Sequence, residues 1–559
     1  MLVALVTAAS AAHAQNIVGD WQGTLKLGPA ELRLVLHIAK GDNGVFTATL
    51  DSIDQAANGI PVSSMSLKEA HLDFTVEAVR GSYKGRVNSE GTVIAGTWTQ
   101  GEPLPLEFKR TANPIKAEHK PAKPSDIDGH WLGTLEFTGM KLRLVFHITN
   151  TADGLTATLD SPDQNANGIP VTSVTRNGAA IKMELKQIAG GFEGKIDKDL
   201  TTMEGAWTQG RGSSPLTLKR IKSTAGLSVR HPQDPVRPFP YREEDLTYQN
   251  KTQGVELAAT LTIPSGKGPF TAVLLITGSG PQDRDEALLG HRPFLVLSDY
   301  LTRKGIAVLR ADDRGIGKST GNFETATTAD FATDAEAGIS YLKTRPEIDH
   351  HKIGLIGHSE GGVIAPMVAA RNSDVAFIVM MAGSGVPGDA IIAEQLKLIE
   401  EAAGKSHEQA EKDAAEEREI LALVIKEKDE AELDKKLREK LAGKVPQAQL
   451  GAAIKQVTLP WVRYFITYDP APALTKVKCP VLAINGERDL QVPPRQNLPA
   501  IRKALEAGGN KDFEVDELPG LNHLFQTAKT GAPSEYAGIE ETISPIALEK
   551  MADWILKRR

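Results

Sequence analysis

The chain lacks the residue types that would make it a stapled, metal-bound or nucleic-acid-binding protein. It has one cysteine in 559 residues, Cys479, so no intrachain disulfide can form. Cys479 precedes the apolar run Pro480-Val481-Leu482-Ala483-Ile484 and reads as a buried thiol rather than a nucleophile. The formal net charge is -7 and no basic stripe stands out to neutralise phosphates, so no nucleic-acid partner is expected. No HExxH or other ligand cluster is found, and neither a metal nor an organic cofactor is implied. Hydrophobic content of 41% and charged content of 24% are ordinary for a globular protein. The length exceeds what one core supports and points to about two to four domains.

Residues 1–14, MLVALVTAASAAHA, are apolar and rich in small residues, and end in Ala12-His13-Ala14, an AxA-type cleavage site before Gln15. The stretch is too short to span a membrane, and no membrane span is expected. A positively charged leader region is missing. The segment is read as a clipped signal peptide, and the chain as an exported bacterial protein of the periplasm or extracellular space, where a cysteine-poor chain suits a periplasm best.

Residues 17–220 hold an internal repeat. IVGDWQGTL (17–25) returns as IDGHWLGTL (127–135), and TATLDSIDQAANGIPV (47–62) as TATLDSPDQNANGIPV (156–171). Alternation such as Leu32-Arg33-Leu34-Val35-Leu36-His37-Ile38, broken by Gly, Asn and Asp, predicts antiparallel strands and turns. Two all-β modules, each a barrel or sandwich, are expected at 15–110 and 126–220. They resemble the lipocalin-like modules in front of some bacterial hydrolases. Asp51, Asp54 and Asn58, repeated as Asp160, Asp163 and Asn167, lack EF-hand spacing and read as turn residues rather than a calcium loop. His37 and His147 read as solvent-facing or structural. Trp21, Trp98, Trp131 and Trp207 fit a core better than sugar stacking. Pro-rich linkers are expected at 111–125 and 221–240.

From Tyr241 on, short apolar runs alternate with helix-compatible segments and end in glycine- or Asp-rich loops, which predicts a parallel α/β sheet with its site at strand C-termini. The run Ile353 to Ile356 ends at Gly357-His358-Ser359-Glu360-Gly361 and passes into a helix. In GxSxG the serine occupies a strained turn, and side chains two positions either side would collide; glycine at 357 and 361 removes them. The turn lifts the Ser359 hydroxyl above the sheet and aims helical N–H groups, beginning with that of Glu360, at a developing oxyanion. The dinucleotide fingerprint GxGxxG would need glycine at 359, and a Walker A reading of ADDRGIGKST (311–320) would need glycine at 312, which is aspartate. Asp312 and Arg314 read as loop organisers.

These pieces, with TGSGPQDRD (277–285), AINGERDLQVPP (483–494) and FEVDELPGLNHLF (513–525) in that order, make residues 241–559 resemble an α/β-hydrolase, with a helical cap at about 389–459. The resemblance implies a catalytic triad of Ser359, Asp489 and His523 in the order of the fold. It implies oxyanion donors at Glu360 and Ser279, with Gly280 an alternative to Ser279. His291 is the one serious rival to His523. Trp461 and Tyr464 are candidate pocket walls.

The implied activity is that of a serine hydrolase cleaving small-molecule carboxylic esters through an acyl-enzyme. A serine peptidase or amidase of the same fold is the alternative, with Glu360 or Asp285 as anchor for a substrate amine. The reading from another class is a glycan- or partner-binding protein whose hydrolase half is vestigial.

Overall fold

The computed structural model describes residues 17–558 except 28–29, 41–45, 56, 77–78, 80, 101, 113–122, 138–139, 152–153, 165, 210–211, 228–230, 446 and 448–449. The expected signal segment, much of the first linker and the Asn58 side chain lie outside the described residues. The chain falls into two compact units, one ending at Ala122 and the other running from Lys123.

The first unit is one nine-stranded antiparallel sheet curled on itself. Its first strand, Gly19–Leu27, pairs with Ala30–Lys40 on one side and Glu102–Thr111 on the other. Alternation turns one face inward: His71–Val76 buries Leu72, Phe74 and Val76 and leaves His71 and Asp73 out. Trp21 and Trp98 lie in that core.

A second nine-stranded curled sheet repeats the first, so each repeat is a half-barrel of one sheet rather than a sandwich of two. Trp131 faces Phe146 and Arg220 across its neighbours just as Trp21 faces Leu36 and Arg110. The repeated acids organise each turn: Asp54 Oδ2 accepts from the Arg33 amide at 2.7 Å and Asp163 Oδ2 from that of Arg143 at 2.6 Å. Asp51 and Asp160 accept from the amides of Gly59 and Gly168 and from His37 and His147.

The remaining sheet has eight strands: β1 (Arg242–Asn250), β2 (Val255–Ile263), β3 (Phe270–Ile276), β4 (Ala307–Ala311), β5 (Ile348–His358), β6 (Val375–Met381), β7 (Val481–Gly486) and β8 (Phe513–Leu518). Their order is β1-β2-β4-β3-β5-β6-β7-β8. The pairs β1/β2 and β2/β4 are antiparallel, and β4 through β8 are mutually parallel. The chain leaves β3 to build β4 on one side, then crosses to β5 on the other, opening a crevice at the strands' carboxyl ends. Helices α1 (Pro293–Arg303) and α11 (Pro545–Leu556) cover one face; α2 (Thr328–Leu342), α3 (Glu360–Ala369), the short α9 (Ala471–Leu474) and α10 (Pro494–Ala507) cover the other. Burial on both faces explains why the central strands read as unbroken apolar runs.

Between β6 and β7 rises the cap: α4 (Gly388–Ala402), α5 (His407–Lys426), α6 (Glu430–Leu441), α7 (Leu450–Val457) and α8 (Pro460–Thr467). Ser406 and Asp429 cap α5 and α6 through the amides of Gln409 and Glu432. Leu421, Val424, Leu433, Leu437 and Ile466 give the cap its own core. Trp461 and Tyr464 therefore lie on its last helix rather than after it, since Pro460 starts a new helix whose Ile466 packs inward.

The second half-barrel is joined to this domain by a shared core. Leu289, Leu524, Tyr536 and Ala537, all downstream of residue 241, lie in the buried cluster formed around Trp131, Phe146 and Phe192. Among the described residues no helix is long and apolar enough to cross a membrane.

Candidate active site

Strand β5 ends at His358 and α3 begins at Glu360, leaving Ser359 alone at the turn with φ 53 and ψ -110. A non-glycine residue there is strained and persists only where its surroundings hold it. The Ser359 amide donates to the Met381 carbonyl at 2.8 Å, tying the turn to β6. A methyl on Gly357 would meet the Gly361 carbonyl oxygen at 1.9 Å, and one on Gly361 the Ile276 carbonyl oxygen at 2.1 Å. The two glycines are therefore obligatory. The Glu360 amide is the first of α3, among the N–H groups that a helix leaves without internal acceptors.

Asp489 follows β7, and His523 lies in the loop after β8. His523 Nδ1 is 2.8 Å from Asp489 Oδ2, and both residues are buried. The other carboxylate oxygen of Asp489 accepts from the amides of Gln491 and Val492, both at 2.8 Å. With the carboxylate so held, Nδ1 is the protonated donor and Nε2 is the nitrogen left to accept a proton. The ring of His358, next to Ser359, lies 4.9 Å from that of His523, which brings the histidine loop and the elbow to one end of the sheet.

The loop after β3 passes over the serine: a methyl on Gly278 would lie 3.4 Å from Ser359 Cβ. The Gly278 amide is taken, donating to Glu286 Oε1 at 2.6 Å. The Ser279 amide is the next along the loop. Thr277 donates to Asp313 Oδ1 at 2.8 Å. Arg284 forks onto Asp312, and Arg314 pairs with buried Asp334, so the 311–320 loop is organised by ion pairs.

Glu360 is 4% exposed. Its Oε1 accepts from Thr328 Oγ1 at 2.6 Å and from Trp461 Nε1 at 2.7 Å, linking the elbow to the cap. Burial raises its pKa to about 7. Asp313, across the same cavity, is pushed up to about 8, by burial first and then by the charges of Glu360 and Glu286. Asp285 is salt-bridged to buried Arg310, so its charge is already matched. Tyr464 stacks on Tyr468 at 5.7 Å and packs against the core of the main sheet. His291 is fully buried, bonded to the Tyr536 carbonyl and Thr542, and its pKa is lowered to about 4 by burial; among the described residues it has no hydrogen-bonded carboxylate partner like that of His523.

Sequence reading missed Glu286, whose bond to His358 spans 72 positions. No local motif marks it. It also missed the half-barrel's hold on the histidine loop through Leu524.

Sheet order, elbow and the loops that converge on it give the C-terminal domain the α/β-hydrolase fold. Residues 293–527 match the family described as "Serine aminopeptidase, S33". Esterase EstD of Thermotoga maritima is 26% identical over 362 residues, covering 62% of this chain and 77% of that protein. That share is more than the residues from Tyr241 onward supply, so the match runs into the second half-barrel. Esterase FrsA of Vibrio cholerae is 28% identical over 136 residues, 24% of this chain and 29% of its own. Among solved structures, ferulic-acid-bound Est1E from Butyrivibrio proteoclasticus covers 56% of this chain and 98% of its own, at 19% identity and TM-score 0.35. The Pyrococcus furiosus esterase Pf2001 covers 57% and 93%, at 18% identity and TM-score 0.35. The chain is a serine-type hydrolase of the α/β fold.

Proposed function

We propose that the chain cleaves small-molecule carboxylic esters through an acyl-enzyme. The observation that carries this reading is the strained Ser359 turn set beside a buried Asp489–His523 pair. His523 Nε2 takes the Ser359 proton as Oγ attacks the ester carbonyl. Asp489 holds the imidazole in the required tautomer and stabilises the imidazolium. The amides of Glu360 and Ser279 receive the oxyanion, each such donor being typically worth ~3 kcal/mol of barrier. The imidazolium then protonates the leaving alcohol, and water repeats the sequence to release the acid. Relatives named as esterases favour an ester over an amide. Export to a periplasmic or extracellular site belongs to the same proposal.

A serine aminopeptidase is the second reading. It is favoured by the matched family's description and by the buried Glu360 carboxyl, which has no cationic partner among the described residues.

The test is hydrolysis of p-nitrophenyl esters of increasing acyl length beside an aminoacyl p-nitroanilide, with wild type and Ser359→Ala. Ester cleavage that vanishes in Ser359→Ala is expected. Preference for the anilide moves the assignment to a peptidase, and undiminished ester cleavage by the variant rules out Ser359 as nucleophile.

A further inference from the structure

One buried pair touches all three loops of the site. His358 Nδ1 is 2.9 Å from Glu286 Oε1, and its Nε2 is 3.0 Å from the His523 carbonyl oxygen. The same Glu286 oxygen accepts from the Gly278 amide at 2.6 Å. His358 is part of the elbow, Gly278 of the oxyanion loop and His523 of the histidine loop. Both His358 and Glu286 are buried, at 5% and 4% exposure.

The proton count is constrained. A carbonyl oxygen only accepts, so Nε2 must carry a proton. Nδ1 faces a carboxylate oxygen that already accepts from an amide, so it too donates when Glu286 is ionised. His358 is then an imidazolium beside a carboxylate. Burial acts against the cation, but the charge and hydrogen bond of Glu286, the His523 carbonyl and the charge of Asp489 outweigh it and hold its pKa above the ordinary histidine value.

Glu286 reaches this position from φ 52, a left-handed backbone that a non-glycine residue adopts at a cost. A loop merely passing by would have no reason to keep it.

We infer that Glu286 and His358 form a buried ion pair that positions the catalytic groups, holding the oxyanion loop, the elbow and the His523 backbone in one register. By occupying the Gly278 amide, Glu286 removes it from the oxyanion role proposed for the Ser279 amide. Both are positioning residues, and neither touches substrate. This inference rests on the proposed roles of Ser359 and His523.

The decisive variant is Glu286→Gln. An amide at this place cannot both accept from Gly278 and neutralise an imidazolium, so the pair collapses to a neutral histidine. Labelling of Ser359 by a fluorophosphonate reports alignment whatever the natural substrate. The variant is expected to label roughly 10- to 100-fold more slowly, with kcat for ester reduced in parallel and KM within about threefold. Two ring N–H signals from His358 in 15N-histidine NMR of wild type at pH 7.5, absent in Glu286→Gln, are the accompanying signature. Labelling within twofold of wild type by a folded variant, or a single ring proton on wild-type His358, overturns the inference. If wild type labels but turns over no ester, the proposed function fails and this inference is still tested. The NMR measurement on wild type needs neither activity nor a variant that folds.

Discussion

Glu360→Gln reads the buried carboxyl at the elbow without removing its hydrogen bonds. Glutamine keeps an acceptor for Trp461 Nε1 and Thr328 Oγ1, which lie 2.7 and 2.6 Å from Glu360 Oε1, and it cannot ionise. In the folded protein the carboxyl's pKa is about 7 against an ordinary 4.5, because burial penalises the charge more than Thr328 and Trp461 relieve it. A raised acid pKa means that the folded state binds the proton more tightly than the unfolded chain. Its stabilising effect is whole below pH 4.5, declines as pH climbs to about 7, and changes little above. The loss over that window is about 3 kcal/mol. Divided by the unfolding entropy of a domain of roughly 300 residues, it is about 5 °C in Tm. Asp313, raised partly by Glu360, adds to the same trend, and the variant relieves it too. Calorimetry of both proteins from pH 5 to 8 measures the effect, and their difference cancels the titrating groups that do not sense Glu360. The variant's Tm should rise relative to wild type by several degrees between pH 5 and 8. Parallel curves would refute a buried, weakly solvated carboxyl at this position.

Two further outcomes follow from the site. Asp489→Asn sets an amide N–H against His523 Nδ1 and forces the wrong tautomer; kcat should fall by ~10⁴ with little loss of fold, as measured by ester turnover and circular dichroism. Leu524→Ala empties a buried position in the half-barrel core beside His523, at about 2–5 kcal/mol. It should lower both Tm and kcat, whereas Ile181→Val, in the same core but on the barrel side, should lower Tm alone.

The candidate site was legible where its physics is local. Glycine at 357 and 361 is required by contacts within five residues and one adjoining strand end, so the elbow could be read from GxSxG. Asp489 closely follows the buried strand β7 and His523 the half-buried edge strand β8, and chain order narrowed the choice. The doubled modules were legible because a repeat repeats its alternation. The antiparallel β1 and β2 at the sheet's edge were not, since antiparallel pairing there depends on where the chain turns back. The partner of Asp285, a candidate anchor for a substrate amine, was not legible, because it lies 25 positions further along the chain. Arg310, on another strand, takes its charge.

The sequence by itself determined the strands, the strained serine turn and the repeat, because side-chain sterics and hydrophobic periodicity act between near neighbours. Only the tertiary structure decided how the pieces are held. Trp461 reaches Glu360 across 101 positions, His358 reaches the His523 carbonyl across 165, and a half-barrel closes its core with a leucine from the histidine loop. Such contacts form between groups that are strangers in sequence and meet only when burial drives their elements together.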